Sequence, residues 1–369
     1  MLLAIETSCD ESSVALIDKQ GIPVAGEVSS QIDLHEKFGG VVPEIASRAH
    51  LTNLPITIRS VMEEAKVTFK DLEAIGVTRS PGLVGALLVG VTYAKTLAWL
   101  YDLPLIPVDH LEGHLLAPFL DHPDLEFPFL GLVASGGHTH LYAVRGFKDY
   151  SLLGKTLDDA VGEAFDKVAK MLGFQYPGGP IVDRIAAQYP SSPVSFPIPF
   201  KGKKTLNFSY SGMKTAVRNK ALECGVYIKN QVLLDYEAFV SMPESDNKTQ
   251  IGNIMSGFQT AVIKSITTRI EEALKLTGLK RVVLTGGVAA NRGLQEKMRY
   301  LAGERGFSFY SPRLEYCTDN AAMIGYVAWK SWKEGLFSDK NRLNLDVSSQ
   351  SHLTQMEPIP IEQITPTGF

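Results

Sequence analysis

The sequence predicts an α/β protein of two similar lobes facing across a central cleft, and three observations carry that prediction. LLAIETSCDESSVALIDKQG, from residue 2, reads as strand, small polar turn, strand. FLGLVASGGHTHLYAVRGF, from residue 129, repeats the plan. LEAIGVTRSPGLVGALLVGVTYAKTLAWL and LKRVVLTGGVAANRGLQEKMRYLAG each run from a buried strand through a glycine turn into a helix. With 369 residues, 45% of them hydrophobic, the chain is long enough for two cores.

Taken in order, residues 1–125 form the first lobe, completed by an apolar helix over 319–335. Residues 126–318 form the second. Within it, TLDDAVGEAFDKVAKMLG reads as a helix with Thr156 as N-cap, Glu163 and Asp166 on its polar side and Gly173 as its stop. YPGGP, at 176–180, is a tight turn that lets backbone approach a ligand. The hydrophobic pattern weakens over 223–250, an expected insertion or mobile loop. From 338 to 369 no period survives, and prolines at 358, 360 and 366 suggest an extended or docked tail.

Composition excludes several classes. A net charge of −4 argues against coating nucleic acid by bulk charge, so RNA binding requires a local patch or a partner. Three scattered cysteines, Cys9, Cys224 and Cys317, give neither a disulfide framework nor a CxxC knuckle, and point to a reducing cytoplasm. The opening MLLAIETSCDE carries no secretory or basic presequence pattern, and no apolar stretch reaches membrane-spanning length.

PVDHLEGH places His110 and His114 four apart, on one face of a helix, where two imidazoles can meet one ion. Glu112 stands about 200° around that helix from His110, the wrong place for the general base of a zinc protease. The alternative is a surface helix with two unrelated histidines. Asp319, at the start of the last apolar helix, offers a third ligand if it is not simply the N-cap. Two histidines and a carboxylate suit iron(II) or zinc. ETSCDESS, ASGGHT and LTGGVAAN are candidate phosphate turns at equivalent places in the duplicated plan. His138 and His140 follow the SGG turn and are expected on opposite faces of a strand, with His138 toward the cleft. KGKKTLNFSYSGMKTAVRNK interleaves Lys201, Lys203, Lys204, Lys214, Arg218 and Lys220 with Phe208 and Tyr210, a pattern for gripping phosphates and stacking bases or merely a solvated face.

Together AIETSCDESSVALI, GGVVPEIASRAH, SPGLVGALLVG, PVDHLEGH, ASGGHT, DDAVGEAFDKVAKMLG, YPGGP, FSYSGMKTAV, LTGGVAANRGL and CTDNAAMI resemble the TsaD family of tRNA adenosine threonylcarbamoyltransferases. The resemblance implies two duplicated actin-like, sugar-kinase-like lobes (the ASKHA, RNase H-like class). It implies metal ligation by His110, His114 and Asp319, and adenylate binding by Val133, Ala134, Ser135, Gly136, Gly137, His138, Asp166, Gly179, Asp183 and Asn291. Asp10 and Glu11 match the acidic pair expected at the reacting centre. The implied reaction moves a threonylcarbamoyl group from threonylcarbamoyl-adenylate to N6 of adenosine 37 in tRNAs reading ANN codons, in a site that ATP or AMP also occupies. Implied partners are tRNA and, in the bacterial arrangement, TsaB and TsaE; organellar relatives work as homodimers. The residues around 223–250 and the tail depart from the family pattern. Rival readings are a small-molecule kinase of the same fold, a non-catalytic ATP-binding regulatory subunit and, third, the protease.

Overall fold

The apolar run Leu2–Glu6 forms strand β1 at the middle of a five-stranded sheet. Burial on both faces makes it a continuous apolar run instead of an alternating one. It pairs antiparallel with β2 (Glu11–Ile17), which pairs antiparallel with β3 (Pro23–Ser30). On its other side lie β4 (Ala74–Ser80) and β5 (Leu105–Asp109), both parallel. The helices of this half are α1 (Ile32–Glu36), α2 (Pro43–Glu64), α3 (Val84–Leu100) and α4 (His110–Leu116).

The same order recurs from residue 129. β6 (Phe129–Ala134) is central, β7 (Thr139–Gly146) and β8 (Asp149–Lys155) continue it antiparallel, and β9 (Arg281–Thr285) and β10 (Ser308–Tyr310) lie parallel on its other side. Around this sheet run α5 (Val161–Met171), α6 (Gly178–Ala186), α7 (Ser211–Glu223), α8 (Tyr236–Ser241), α9 (Asp246–Thr277) and α10 (Arg292–Arg305). The chain then supplies α11 (Leu314–Cys317), α12 (Ala321–Lys333) and α13 (His352–Gln355). The two sheets share one topology, so the fold is a duplicated α/β plan.

The computed structural model describes residues 1–228, 234–337 and 343–366. One unit comprises Met1–Leu125 with Pro312–Met356, the other Glu126–Ser311 with Glu357–Phe369. In the first, side chains alternate along β1: Leu3 and Ile5 join Leu54, Ile58 and Val61 of α2 and Val91, Ala94 and Leu97 of α3 in one buried cluster. Ala4 faces α12. The approach there is close enough that a Cβ built on Gly325 would stand 2.7 Å from Ile17 Cδ1 and 3.1 Å from Ala4 Cβ. Glycine is therefore what lets α12 lie flat on the sheet and carry its N-terminus, with Asp319 just before it, to the end of β1.

Several local expectations are corrected. The helix expected from Thr156 begins at Val161, with Ala160 at its N-cap position. Asp158 accepts hydrogen bonds from Tyr210 N, Ser211 N and Ser209 Oγ, and Leu157 N donates to Phe208 O, so residues 156–160 stay off the helix. The stretch 223–250 is folded where described: it holds the end of α7, all of α8 and the start of α9, while 229–233 lie outside the described residues. Lys248 Nζ donates to Val240 O, Met242 O and Glu244, closing the α8–α9 turn. The second unit's main stretch ends at Ser311 instead of 318, since Arg313 is held through its N and Nε by Asp121 of the first. His138 and His140 do not point to opposite faces. Positions two apart on a strand share a face, and their ring centroids lie 5.5 Å apart, with Tyr142 next at 5.9 Å from His140.

Two outcomes follow for stability. Gly325→Val overpacks the α12–sheet contact and should lower unfolding stability by roughly 1–3 kcal/mol, read from the urea midpoint. Burial, and then the charge of Lys155, push His140 down to about 4 from an ordinary 6.5. Between those values the unfolded chain binds the proton that the folded chain refuses, so stability falls as pH falls through that window, by up to about 3 kcal/mol. His140→Phe should remove most of that acid-side loss; an unchanged slope of stability from pH 6.5 to 4 would contradict it.

Candidate metal centre and glycine-rich turns

In the first unit, the end of β5 turns directly into α4. Asp109 caps the helix, its Oδ1 accepting from Leu111 N at 2.8 Å and Glu112 N at 3.3 Å. This sets His110 at the first helical position and His114 one turn on, their rings edge-to-face with centroids 4.6 Å apart. Asp319 reaches both: its Oδ1 is 3.1 Å from His114 Nε2 and 3.4 Å from His110 Nε2. It is not the cap of α12. Asn320 is, accepting from Met323 N at 3.0 Å, while Ala321 N donates to Ser13 Oγ at 2.9 Å. Asp319 is thereby left to meet the histidines, and the three donor atoms all lie within 4.8 Å of one another.

Glu6, absent from the sequence-level candidates, completes the arrangement. Its Oε2 lies 3.2 Å from His110 Nδ1 and accepts from Thr78 Oγ1 at 2.5 Å, while its Oε1 accepts from Ser8 N at 2.5 Å. A carboxylate on one ring nitrogen leaves the other for an ion, the orientation that holds metal-ligating histidines. Burial opposes a charged His110, but Asp319 and Glu6 outweigh it and hold its pKa well above the ordinary value. Asp319 is drawn well below its own: burial works the other way, and His110 and His114 prevail. A buried carboxylate, Glu6, and a partly exposed one, Asp319, around two buried imidazoles make a site suited to a cation. Two nitrogens and one oxygen, pre-oriented, fit iron(II) or zinc.

Asp10 ends the turn between β1 and β2, and Glu11 opens β2. Asp10 is buried, and its Oδ2 has no hydrogen-bond partner among the described residues. Burial first, and then Asp10 and Asp319, push Glu11 up to about 10. The same causes raise Cys9 well above the usual thiol range, so it stays a thiol. His50 Nε2, 2.9 Å from Cys9 O, ties this turn to α2.

In the second unit the equivalent turn is SGG. Val133 and Ala134 end β6; Ser135 N donates to His138 O at 2.8 Å, and Gly162 N to Ser135 O at 3.1 Å. Gly136 and Gly137 are exposed, and a Cβ on either would meet nothing, so their backbone faces open space. Asp166 Oδ1 accepts from Gly178 N at 2.8 Å, joining α5 to α6. Gly179 and Asp183 lie one turn apart on α6. Asp183 Oδ2 accepts from Arg292 Nε at 3.1 Å, beside Asn291, the N-cap of α10. Asn291 Nδ2 donates to Gln259 Oε1 at 2.8 Å. These residues form one connected set. The basic stretch does not stack bases as the sequence suggested: Phe208 and Tyr210 are buried in the core, and Lys214 is paired with Asp159. Only Lys201, Lys203, Lys204 and Arg218 remain exposed there.

A family profile described as tRNA N6-adenosine threonylcarbamoyltransferase, TsaD, matches residues 24–326, a span that includes His110, His114, Asp319 and the SGG and TGG turns. A protein of that name from Trichlorobacter lovleyi is 47% identical over 324 residues, covering 88% of this chain and 89% of its own length. Among solved structures, full-length HypF in its phosphate- and nucleotide-bound form is similar at a TM-score of 0.57 and 15% identity, over 91% of this chain and 56% of that one. HypF from T. kodakarensis is similar at 0.59 and 15% identity, over 93% and 49%. Likeness at that identity shows the duplicated ASKHA-type fold alone. The sequence matches span both sheets, and the chain belongs to the TsaD family of tRNA N6-adenosine threonylcarbamoyltransferases.

Proposed function

We propose that this chain transfers the threonylcarbamoyl group from threonylcarbamoyl-adenylate to N6 of adenosine 37 in tRNAs reading ANN codons, releasing AMP, with one divalent ion, iron(II) or zinc, held by His110, His114 and Asp319. The convergence of those three side chains within 4.8 Å, in a member of this family, carries the reading. An ion held there supplies an anchor for the donor's oxygens and polarisation of its acyl group. Glu6 fixes the His110 ring for that task.

The remaining residues divide the work. Backbone N–H groups of Gly136 and Gly137, with Ser135 and His138, receive the adenylate phosphate; Val133 and Ala134 set that turn at the end of its strand. Asp166, Asp183 and Asn291 hold the α5, α6 and α10 ends in place, and Gly179 leaves room for the nucleoside. In the transfer, N6 bonds to the carbamoyl carbon, the bond from that carbon to the phosphate oxygen breaks, and AMP leaves with the electron pair. N6 must lose one proton. Asp10, whose Oδ2 has no hydrogen-bond partner among the described residues, takes it, while Glu11 keeps its own proton beside it. Cys9 remains a thiol, which favours direct transfer over a covalent thiocarbamate on its sulfur.

A kinase of the same fold would share the phosphate turns but has no use for the paired histidines. Protein partners of the TsaB and TsaE kind belong to the reading, as does a homodimer in their place. Leu51 and Leu88, exposed beside an open groove between α2 and α3, give this unit an apolar surface of the sort partners cover.

The test is single-turnover transfer from preformed, labelled threonylcarbamoyl-adenylate to an unmodified ANN-decoding tRNA, by the chain alone and with the two partners added. Label on adenosine 37, lost on chelation, is expected; phosphate transfer to a small acceptor instead would replace this reading with the kinase. Asp10→Asn should slow the step by about 10²-fold or more, with Glu11→Gln less affected. Normal rates in both variants would remove the acidic pair from the chemistry.

A further inference from the structure

The turn that carries Asp10 lies outside the strand ladders. β1 pairs with β2 as far as Glu6 and Ser13, and β2 with β3 as far as Glu11 and Ser30, so Ser8, Cys9 and Asp10 take no support from the sheet. Three successive carbonyls of the turn instead accept from three different places. Ser8 O accepts from Leu83 N, just before α3, at 2.8 Å, and Asp10 O from Gln31 N, after β3, at 3.0 Å. Between them, Cys9 O accepts from His50 Nε2 of α2 at 2.9 Å. Two of these donors are backbone N–H groups; the third is a side chain.

His50 meets the turn through both ring nitrogens. A carbonyl oxygen can only accept, so in the neutral ring the proton sits on Nε2, and Nδ1 is left as the acceptor. Nδ1 stands 2.7 Å from Ser12 Oγ, whose hydroxyl therefore donates to it, and 3.3 Å from Gln31 Nε2. Burial holds the ring below its ordinary pKa, in keeping with that neutral tautomer. The side chain is buried on the inner stripe of α2 with Ala46, Leu54 and Ile58, so packing holds it as well as its bonds. A core histidine needs a partner for each nitrogen and no more. Here the two partners, Cys9 and Ser12, bracket the acidic pair.

We infer that His50 is a positioning residue for the acidic turn: by clamping Cys9 O and Ser12 Oγ, on either side of Asp10 and Glu11, it aims Asp10 Oδ2, which has no partner among the described residues, at the proton it takes. It acts through the turn and not on the reacting atoms. The inference rests on the reading of Asp10 as the acceptor of the N6 proton.

The test is the single-turnover transfer assay at saturating donor, with tRNA varied to separate the maximal rate from the half-saturating concentration. His50→Ala should lower the maximal rate about 10-fold and leave half-saturation within about twofold, since a misdirected base slows the step and spares binding. His50→Gln, whose amide N–H reaches the place of Nε2, should recover to within about threefold of the parent, while His50→Asn, which replaces Nδ1 alone, should stay near the Ala variant. In an Asp10→Asn background, His50→Ala should cost less than about twofold more, because the group it positions is gone. The clamp is overturned if His50→Ala keeps the parent's rate, if Gln is as slow as Ala, or if the loss persists in full without the Asp10 carboxylate. Should His50→Ala fail to fold, the order of the other two decides: Gln faster than Asn supports the clamp, and equal or reversed rates overturn it. A parental rate in Asp10→Asn itself would instead overturn the reading of Asp10, and the inference with it.

Discussion

One imidazole organises the first unit. His110 stands between two carboxylates, Glu6 on its Nδ1 side and Asp319 on its Nε2 side, with its side chain and that of Glu6 essentially out of water. Isolated buried carboxylates cost several kcal/mol each unless a positive charge and hydrogen bonds offset the loss of hydration. Here Thr78 and Ser8 satisfy Glu6, while His114 shares Asp319. The ends of β1, β4, α4 and the lead into α12 are consequently fixed to one small volume.

The duplicated plan puts two chemically different turns at equivalent places. The turn from β1 to β2 and the turn from β6 to β7 occupy equivalent places in matching sheets. In the first, Asp10 and Glu11 make it acidic, and burial keeps a proton on Glu11. In the second, Ser135, Gly136 and Gly137 remove the side chains and leave open backbone. One turn carries acidic side chains; the other exposes bare backbone. After β9, Asn291 caps α10 by accepting from Leu294 N, and Asp183 of α6 accepts from Arg292 N, which holds α10 against α6.

What was legible in the sequence was what local chemistry fixes. The repeat of strand, polar turn and strand carried the fold, and helical spacing carried His110 and His114. Asp319 could be named but not separated from a cap role, since only the structure assigns capping to Asn320. Glu6 escaped because a glutamate closing an apolar strand looks like the strand's polar end; nothing local says that a histidine 104 residues away will meet it. Thr156 looked like a cap because the partner that holds its neighbour Asp158 lies some fifty residues on, at Tyr210. Phe208 and Tyr210 looked like stacking aromatics because the lysines around them are exposed while the rings themselves are core. The placement of His138 and His140 was recoverable from strand geometry alone.

In the proposed reading the ion is held by His110, His114 and Asp319 and not by the acidic turn. Anomalous diffraction at the metal edge, from crystals of the protein reconstituted with iron(II) or zinc, tests it most directly. The account predicts one peak bonded to both Nε2 atoms and to a carboxylate oxygen of Asp319, with Glu6 outside the coordination sphere against His110 Nδ1. A peak on Asp10 and Glu11, or an empty histidine pair under saturating metal, would contradict it.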